Sequence, residues 1–437
     1  MRRLTHGWAG INHGSPHHVL APASVGDLQQ MLATGQHGSL LACGLGRSYG
    51  DCALNGNGTL IDCRFLNNFL SFDPDSGVLE CEAGVSLLEI NRLLTAAGWM
   101  LPVTPGTQFV TIGGAIANDV HGKNHPQEGS FGTHIVALKI ARSNGEVLES
   151  SLENNAALFA ATIGGLGLTG LILSATLQLR PLKSLSMDVN RIPFDNLAEL
   201  FALVSRHIDS WEYHTAWMDP AAGCRKGHYI LANHADEPGN LNWSERRSIP
   251  LGFLAGLASD LPGRLLMKAA NLWYRKGVRS GHRQGSIEST LYPLDRIPDW
   301  NLLFGKPGFF QYQCVFPEAA AQAALDELLK VIDGSGQAVT LAVGKWFGTR
   351  STPGLLSFPL PGFSIALDFV NNGSETRRLL DSLDSIVGDC NGRLYPAKDG
   401  RMPSALFADT YPELEKFGQQ LDPLFISDFW KRMEQHT

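Results

Sequence analysis

The spacing of apolar positions changes along this chain, and the changes predict its elements. Behind Ser24 and Asp27, which read as a capping box, Val25, Leu28, Met31 and Leu32 recur at helical intervals. Short strand-like runs follow at Leu40–Ala42, Thr59–Asp62 and Val78–Ala83. Ser86, with Glu89 three residues on, opens a second helix whose apolar face is Leu87, Leu88, Ile90, Leu93 and Leu94, and Gly98 ends it. Ile135–Arg142 and Val147–Ser150 read as strands joined at an Asn144-Gly145 turn. Asn155–Thr162 reads as a short helix and Leu171–Leu179 as a strand. Small α+β units are therefore predicted as far as Pro181.

Beyond Ser184 the character changes. Asn196–His207 predicts a helix and Tyr213–Met218 a strand. Asn233–Gly263 has no period and predicts a mobile excursion, Leu265–Lys276 is amphipathic, and Asp295–Gly308 predicts a second mobile loop. From Phe309 to Tyr395 the order is β-α-β-β-α-β, with strands at Phe310–Phe316, Val339–Trp346, Phe363–Val370 and Arg393–Ala397 and helices at Glu318–Ile332 and Ser374–Val387. That is the ferredoxin-like split arrangement. Alternation puts Gln311 with Gln313 on one face, and Ser364, Ala366 and Asp368 on one face, while Ile365, Leu367 and Phe369 turn to the helices. The uncovered face is small and polar, suited to roof a substrate site. No internal repeat, coiled coil or low-complexity segment is visible in the sequence.

Length allows two or three domains in 437 residues. The net charge of −7 gives no reason to expect nucleic acid. Seven cysteines, dispersed and without a CxxC pair, argue against a disulfide framework and against zinc. The N-terminal residues lack the apolar core of a signal peptide, and no apolar run approaches the roughly 18–20 residues that span a bilayer. The expected location is cytoplasmic, with peripheral membrane contact left open.

The stretch Leu101–Gly132 changes the picture most. Gly106, Gly113, Gly114, Gly122, Gly129 and Gly132 alternate with small residues, a composition that lets backbone lie against a large phosphate-bearing ligand. Two more Gly-rich stretches, Cys43–Asp51 and Gly164–Gly170, support it. The second contains G-x-G-x-x-G at Gly165, Gly167 and Gly170, but a helix precedes it and a strand follows, the reverse of a Rossmann fingerprint, so a nicotinamide enzyme is disfavoured. His121 and His125 lie four apart, yet Gly122 and Pro126 break any helix that would pair them, and no metal is expected.

The motifs GRSYGD (Gly46–Asp51), PGTxxVTxGGAIAxDxHGKNH (Pro105–His125), GSFGxH (Gly129–His134), GGxGLTG (Gly164–Gly170), WYRK (Trp273–Lys276), QYQ (Gln311–Gln313) and YxAKD (Tyr395–Asp399) run in order over nearly the whole chain. In these the chain resembles the decaprenylphosphoryl-β-D-ribose oxidases, flavoenzymes of the vanillyl-alcohol oxidase type. The resemblance implies an α+β fold with a two-lobed FAD-binding domain over residues 1–185, a substrate-binding domain over 186–392 with an antiparallel sheet backed by helices, and a C-terminal segment, 393–437, returning to the FAD domain. It implies FAD contacts from Ala42, Cys43, Gly44, Leu45, Gly46, Arg47, Ser48, Tyr49, Gly50, Asp51 and Cys52 in the first loop. It adds Gly106, Thr111, Ile112, Gly113, Gly114, Asn118, Asp119, Val120, His121, Ile172 and Tyr395. In many wider relatives a histidine in the first loop bonds the flavin covalently; that loop has no histidine here, so tight non-covalent FAD is expected.

Oxidising a secondary alcohol needs a base within hydrogen-bond reach of its hydroxyl. The family match offers Lys398, Lys345, Gln313, Gln311, His121 and Tyr49 as catalytic candidates, Lys123 and Tyr292 as holders of a substrate phosphate, and Ser364 and Ala366 on the substrate face. The implied reaction is oxidation of the ribose 2′-hydroxyl of a polyprenyl-phosphoryl ribose to the 2′-keto sugar, the first half of an epimerisation to arabinose for cell-wall arabinan. A separate NAD(P)H-dependent keto-reductase would complete it, and quinone and O2 both stay open as the electron acceptor. The alternative is an oxidase of a free polyol, sugar or aldonolactone; a non-catalytic flavoprotein is least favoured. Relatives known as drug targets carry a cysteine where Ala366 stands, and that thiol traps reductively activated nitroaromatic inhibitors.

Overall fold

Residues up to Pro181 build two main sheets and a two-stranded pair of Trp99–Met100 with Arg180–Pro181. Thr59–Asp62 lies between His18–Leu20 and Leu40–Cys43 in a parallel three-stranded sheet. An antiparallel five-stranded sheet follows, in the order Phe69–Asp73, Val78–Glu82, Leu171–Gln178, Ile135–Ala141, Val147–Ser151. The structure is a computed structural model that describes residues 5–11, 16, 18–33, 38–243, 275 and 280–434. Of the two helix starts read as capping boxes only the second closes reciprocally; at the first the Asp27 carboxylate accepts from the Ala23 N–H instead of that of Ser24. The Asp27 N–H donates to Ser24 Oγ at 3.1 Å, and Ser86 and Glu89 close a reciprocal capping box. Leu87, Ile90 and Leu94 of that helix pack with Leu79, Cys81, Leu138 and Ile140 into one buried core. The organising Gly-rich stretch is less irregular than its composition suggests. Thr111 caps a helix over Ile112–Ala117, because Ile112, Ala115 and Ile116 can all be buried there despite Gly113 and Gly114.

The remaining architecture is one eight-stranded sheet. Its strands are β1 (Ser186–Phe194), β2 (Tyr213–Met218), β3 (Gly227–His234), β4 (Gly281–Ser286), β5 (Phe309–Pro317), β6 (Val339–Phe347), β7 (Gly362–Val370) and β8 (Arg393–Leu394). Their order is β4-β1-β3-β2-β6-β7-β5-β8. Each half thus repeats the order fourth-first-third-second of its own strands. The halves meet where β2 pairs antiparallel with β6, at Ala216↔Gly344 and Trp217↔Val343. The ferredoxin-like order expected over Phe309–Tyr395 is present, and the first half repeats its topology, which the sequence had not disclosed. In the first half, helix α1 (Leu197–His207) follows β1. The connection from β3 to β4 runs through residues 235–280, so most of the expected excursion over Asn233–Gly263, and Leu265–Lys276 apart from Arg275, lie outside the described residues.

Strand alternation gives this sheet two faces. In the second half Tyr312, Cys314, Phe316, Ala342, Ile365, Leu367 and Phe369 turn outward onto helices α2 (Ala321–Ser335) and α3 (Ser374–Asp389), joining Leu325, Leu328, Leu379 and Leu383 in the largest core. Each fully buried side chain of this kind stabilises by roughly 1.5–3 kcal/mol. The inner face turns to the Gly-rich loops. After β8 the chain returns to the first lobe, where Leu40 and Ile426 exchange backbone bonds with the 424–426 segment and strand Leu40–Cys43. Arg432 bridges Asp51 and Asp399 at 3.0 and 2.9 Å.

The stretch Asp295–Gly308, expected to be a mobile loop, carries short turns. It contains 3-10 turns at Pro293–Arg296 and Trp300–Phe304, and Phe304 is buried and stacked on Phe309 at 4.2 Å.

Candidate active site

Between the Gly-rich loops and the inner face of the sheet lies a cavity of about 1060 Å³. Ordinary small-molecule pockets hold about 300–1,000 Å³, so this one suits a large ligand with a substrate beside it. One wall is the first loop. The side chain absent at Gly44 would put a Cβ 2.2 Å from Thr111 Oγ1, so glycine there lets two cavity-lining loops touch. Gly46, at φ +62°, turns the chain, and at Gly46 and Gly106 a Cβ would meet no neighbour within 4 Å. Both line the cavity, so the space a side chain would take is left to a ligand. The Arg47 guanidinium lies over Trp8, 4.0 Å from the ring centre, bringing in an N-terminal aromatic that no motif marks.

The roof is the inner face of both halves. β5 contributes Gln311 and Gln313, β6 Leu341, Val343 and Lys345, β7 Ser364 and Ala366, and the first half Thr215, Trp217 and Ile230. Lys398, just past β8, closes one side with its Nζ 3.5 Å from the centre of the Tyr49 ring. Gln313 Nε2 lies 3.0 Å from His121 Nε2. The His121 ring is boxed by Phe347, Phe358 and Tyr395, and its Nδ1 is buried without a partner. Tyr395 OH donates to the Asn118 carbonyl at 2.9 Å, fastening the tail to the central loop.

The electrostatics suit acid–base work. Burial holds Lys398 down at about 7, with Lys345 lowering it further and Asp368 opposing. Burial brings Lys345 to about 8. Lys123 falls to about 7 through burial, then Lys345 and Arg191, and its Nζ donates to the Thr290 carbonyl at 2.5 Å. His121 is held well below its usual range by burial and the neighbouring cations, so its ring is neutral. Tyr49 is pushed up chiefly by burial and stays protonated.

Most residues expected at the site line the cavity: Ala42 to Tyr49, Cys52, Gly106, Thr111, Gly113, Gly114, Asn118, Val120, His121, Lys123, Ile172, Gln311, Gln313, Lys345, Ser364, Ala366, Tyr395 and Lys398. Five are corrected. Gly50 packs on the tail, where a Cβ would fall 1.5 Å from the Asp399 carbonyl oxygen. Asp51 is the carboxylate held by Arg432. Ile112 is a buried core residue. Asp119 accepts from Ser130, Ser357 and the Gly132 N–H at 2.7, 2.5 and 2.7 Å, tying the central loop together from behind. Tyr292 is buried with its hydroxyl on Thr104 and Asn91 at 2.7 and 3.1 Å. Sequence reading missed Trp8, Thr215, Trp217, Glu288, Asp295 and Trp300, all in the wall. The inward alternation of β2 could have found Thr215 and Trp217.

The residues present fit FAD. The loops are glycine-lined where a Cβ would invade, the chamber is long enough to hold cofactor and substrate together, and a buried histidine nitrogen awaits a partner in its wall. Residues 16–151 match the FAD binding domain family. Over 90% of the chain and 89% of the relative, the sequence is 34% identical to the decaprenylphosphoryl-beta-D-ribose oxidase of Mycolicibacterium smegmatis. It is 27% identical to L-gulonolactone oxidase of Bos taurus over 98% of the chain and all of the relative, and 32% identical to that of Mus musculus over 40% of each.

Proposed function

From the premise that this chain belongs to the decaprenylphosphoryl-β-D-ribose oxidase family, a group of FAD-dependent oxidoreductases acting on CH–OH groups, we propose that it oxidises the ribose 2′-hydroxyl of a polyprenyl-phosphoryl-β-D-ribose to the 2′-keto sugar. The supporting observation is the half-buried lysine pair, Lys345 and Lys398, lining one chamber with Gln311 and Gln313. Bound FAD supplies a hydride acceptor for the carbon that bears the hydroxyl. Lys398, held at about 7, has a large neutral fraction near neutrality and accepts the hydroxyl proton at Nζ. Gln313 and neutral His121 orient the sugar by hydrogen bonds, and Tyr49 holds Lys398 over its ring. Lys123 and Lys345 line the chamber and in their protonated forms favour an anionic substrate, as a phosphoryl sugar is. The sheet above and residues of the 3-10 turns Pro293–Arg296 and Trp300–Phe304 line the chamber.

The keto product then requires a separate NAD(P)H-dependent reductase to reach arabinose, and the reduced cofactor an acceptor such as a quinone or O2. No helix of the described residues is long and apolar enough to cross a membrane; peripheral contact is the proposed route to a lipid-linked substrate. The first loop offers no histidine, and FAD is held without a covalent bond. Acid precipitation should therefore release all yellow colour to the supernatant, and colour retained in the pellet would overturn this. Anaerobic flavin reduction against lipid-linked and free sugars tests the reaction. The full-length similarity to L-gulonolactone oxidase favours a second reading, oxidation of a free sugar or lactone, which bleaching by soluble lactones or polyols alone would support.

A further inference from the structure

We propose that Arg432 is a positioning residue for Lys398: from the C-terminal helix it clasps the two loops that carry Tyr49 and Lys398, and so fixes the lysine against the tyrosine ring. The inference rests on the reading above in taking Lys398 as the group that accepts the substrate's proton.

The two loops meet back to back. The Tyr49 N–H donates to the Ala397 carbonyl at 2.9 Å, and at Gly50 there is no room for a Cβ against the Asp399 carbonyl oxygen. The Lys398 turn is closed on itself, with the N–H groups of Lys398 and Asp399 donating to the Tyr395 carbonyl at 3.0 and 3.1 Å. One residue past Lys398, Asp399 Oδ1 accepts the N–H groups of Arg401 and Met402 at 3.1 and 2.8 Å. Two residues past Tyr49, Asp51 brings a second carboxylate to the same place. Both carboxylates are buried. Without a cation between them they would repel one another and drive the loops apart.

Arg432 reverses that repulsion. Its Nε and Nη2 form a fork on Asp51 at 3.1 and 3.0 Å, Nη2 also reaches Asp399 Oδ2 at 2.9 Å, and Nη1 donates to the Met402 carbonyl at 2.5 Å. One planar guanidinium grips both loops at once, a geometry that a single ammonium does not reproduce. The base of the clasp is itself fixed. In the helix Asp428–Glu434, the Asp428 N–H donates to the Leu54 carbonyl at 2.7 Å, the Asp428 carboxylate accepts the Gly56 N–H at 2.9 Å, and Phe429 and Trp430 sit in the largest core. Arg432, Asp51 and Asp399 stand behind the chamber wall, while Tyr49 and Lys398 line it. The clasp therefore acts on the reaction only through the contact it holds, Lys398 Nζ 3.5 Å from the Tyr49 ring centre.

Arg432→Met removes the fork and the charge. With the FAD-loaded protein and a polyprenyl-phosphoryl ribose, the limiting rate of anaerobic bleaching should fall about 10²-fold, the cost of a misplacement of about 1 Å. The sugar concentration that gives half that rate should stay within about twofold. The acid limb of the rate should move to higher pH by about one unit. A Lys398 that leaves its seat among Tyr49, Lys345, Asp368 and Cys52 loses the burial that, more than any other influence, holds it at about 7. A role in folding alone would scale the rate down at every pH and leave the limb in place. Hydrogen exchange followed by mass spectrometry needs no sugar. Arg432→Met should speed exchange about tenfold or more in the peptides that hold Tyr49, Arg401 and Met402, and leave the strands of the large sheet unchanged. The proposal is overturned if the acid limb does not move, or if exchange in those peptides is unchanged or rises equally throughout the chain. Should Arg432→Met fail to fold, Arg432→Lys, which keeps the charge and loses the fork, decides by the same readouts with smaller shifts. If no sugar bleaches the wild type, the substrate reading fails and exchange decides the clasp alone. If sugar is oxidised and exchange is unchanged, the clasp alone fails.

Discussion

The two halves of the large sheet share a topology and differ in what they do with it. On the inner face the second half supplies Gln311, Gln313, Lys345 and Ser364, with Lys398 at its end, while the first half supplies Thr215, Trp217 and Ile230. On the outer face the second half is sealed by Leu367, Phe369 and Cys314 under two helices, whereas β1 and β4 of the first half turn Asp188, Asn190, His282 and Gln284 outward, three of them exposed. One half carries groups whose protonation matters and is backed by a dense apolar layer. The other carries shape. A lysine keeps its shifted pKa only while its surroundings stay fixed, and the outer faces of both halves share one apolar core that includes Phe194, Ala216, Met218 and Leu231 of the first half.

The largest effect should come from removing the proton acceptor. Lys398→Met should slow anaerobic bleaching about 10²–10⁴-fold while FAD binds normally. The matching change in the other half, Trp217→Leu, should weaken substrate binding by up to about tenfold, the worth of an aromatic contact, and leave the limiting bleaching rate nearly intact. Equal losses of limiting rate in the two variants would erase the division between a reactive and a shaping half.

Next comes the outer face. Phe369 is fully buried between β7 and the helices, so Phe369→Ala should cost about 3–5 kcal/mol in urea denaturation. Asn190→Ala, at the half-buried polar position on β1, should stay within about 0.5 kcal/mol. A large loss at Asn190 would mean that this face is packed as tightly as its counterpart.

The second half was the legible one. Its four strands and two helices carry unbroken period-2 and helical patterns, and Gln311, Gln313, Ser364 and Ala366 fall on the cavity side as alternation demands. The Gly-rich loops were legible too, since few other roles suit glycine at Gly44 and Gly46. The first half was hidden because its topology repeats without its residues, and because β4 returns to β1 after a long separation in sequence. The turns in Asp295–Gly308 were not legible, because short 3-10 turns have no 3.6-residue signature and the burial of Phe304 left no periodic mark. Asp51, Asp119 and Tyr292 show the limit of a motif. Their hydrogen bonds hold the loops that hold the ligand, and sequence alone does not separate that work from touching the ligand itself.

The smallest effect concerns Ala366, on the inner face of β7 between Gln313 and Val343. A nitroaromatic activated by a reduced flavin can be trapped only by a nucleophilic sulfur within reach, and reactivity belongs to the thiolate. Ala366 has no sulfur. Cys314, one residue along from Gln313, points to the outer core, fully buried, with its thiol pushed well above the usual range by burial. Cys43, Cys52 and Cys63 do line the cavity, but burial raises each to about 12, so almost none is thiolate at neutral pH. Incubation of the wild type with a nitroaromatic inhibitor and reducing substrate should therefore leave its intact mass unchanged. Ala366→Cys should gain a single adduct at that residue. An adduct on the wild type would show that one of the first-lobe cysteines is reactive after all, and would move nucleophilic chemistry from the sheet to the opposite wall of the chamber.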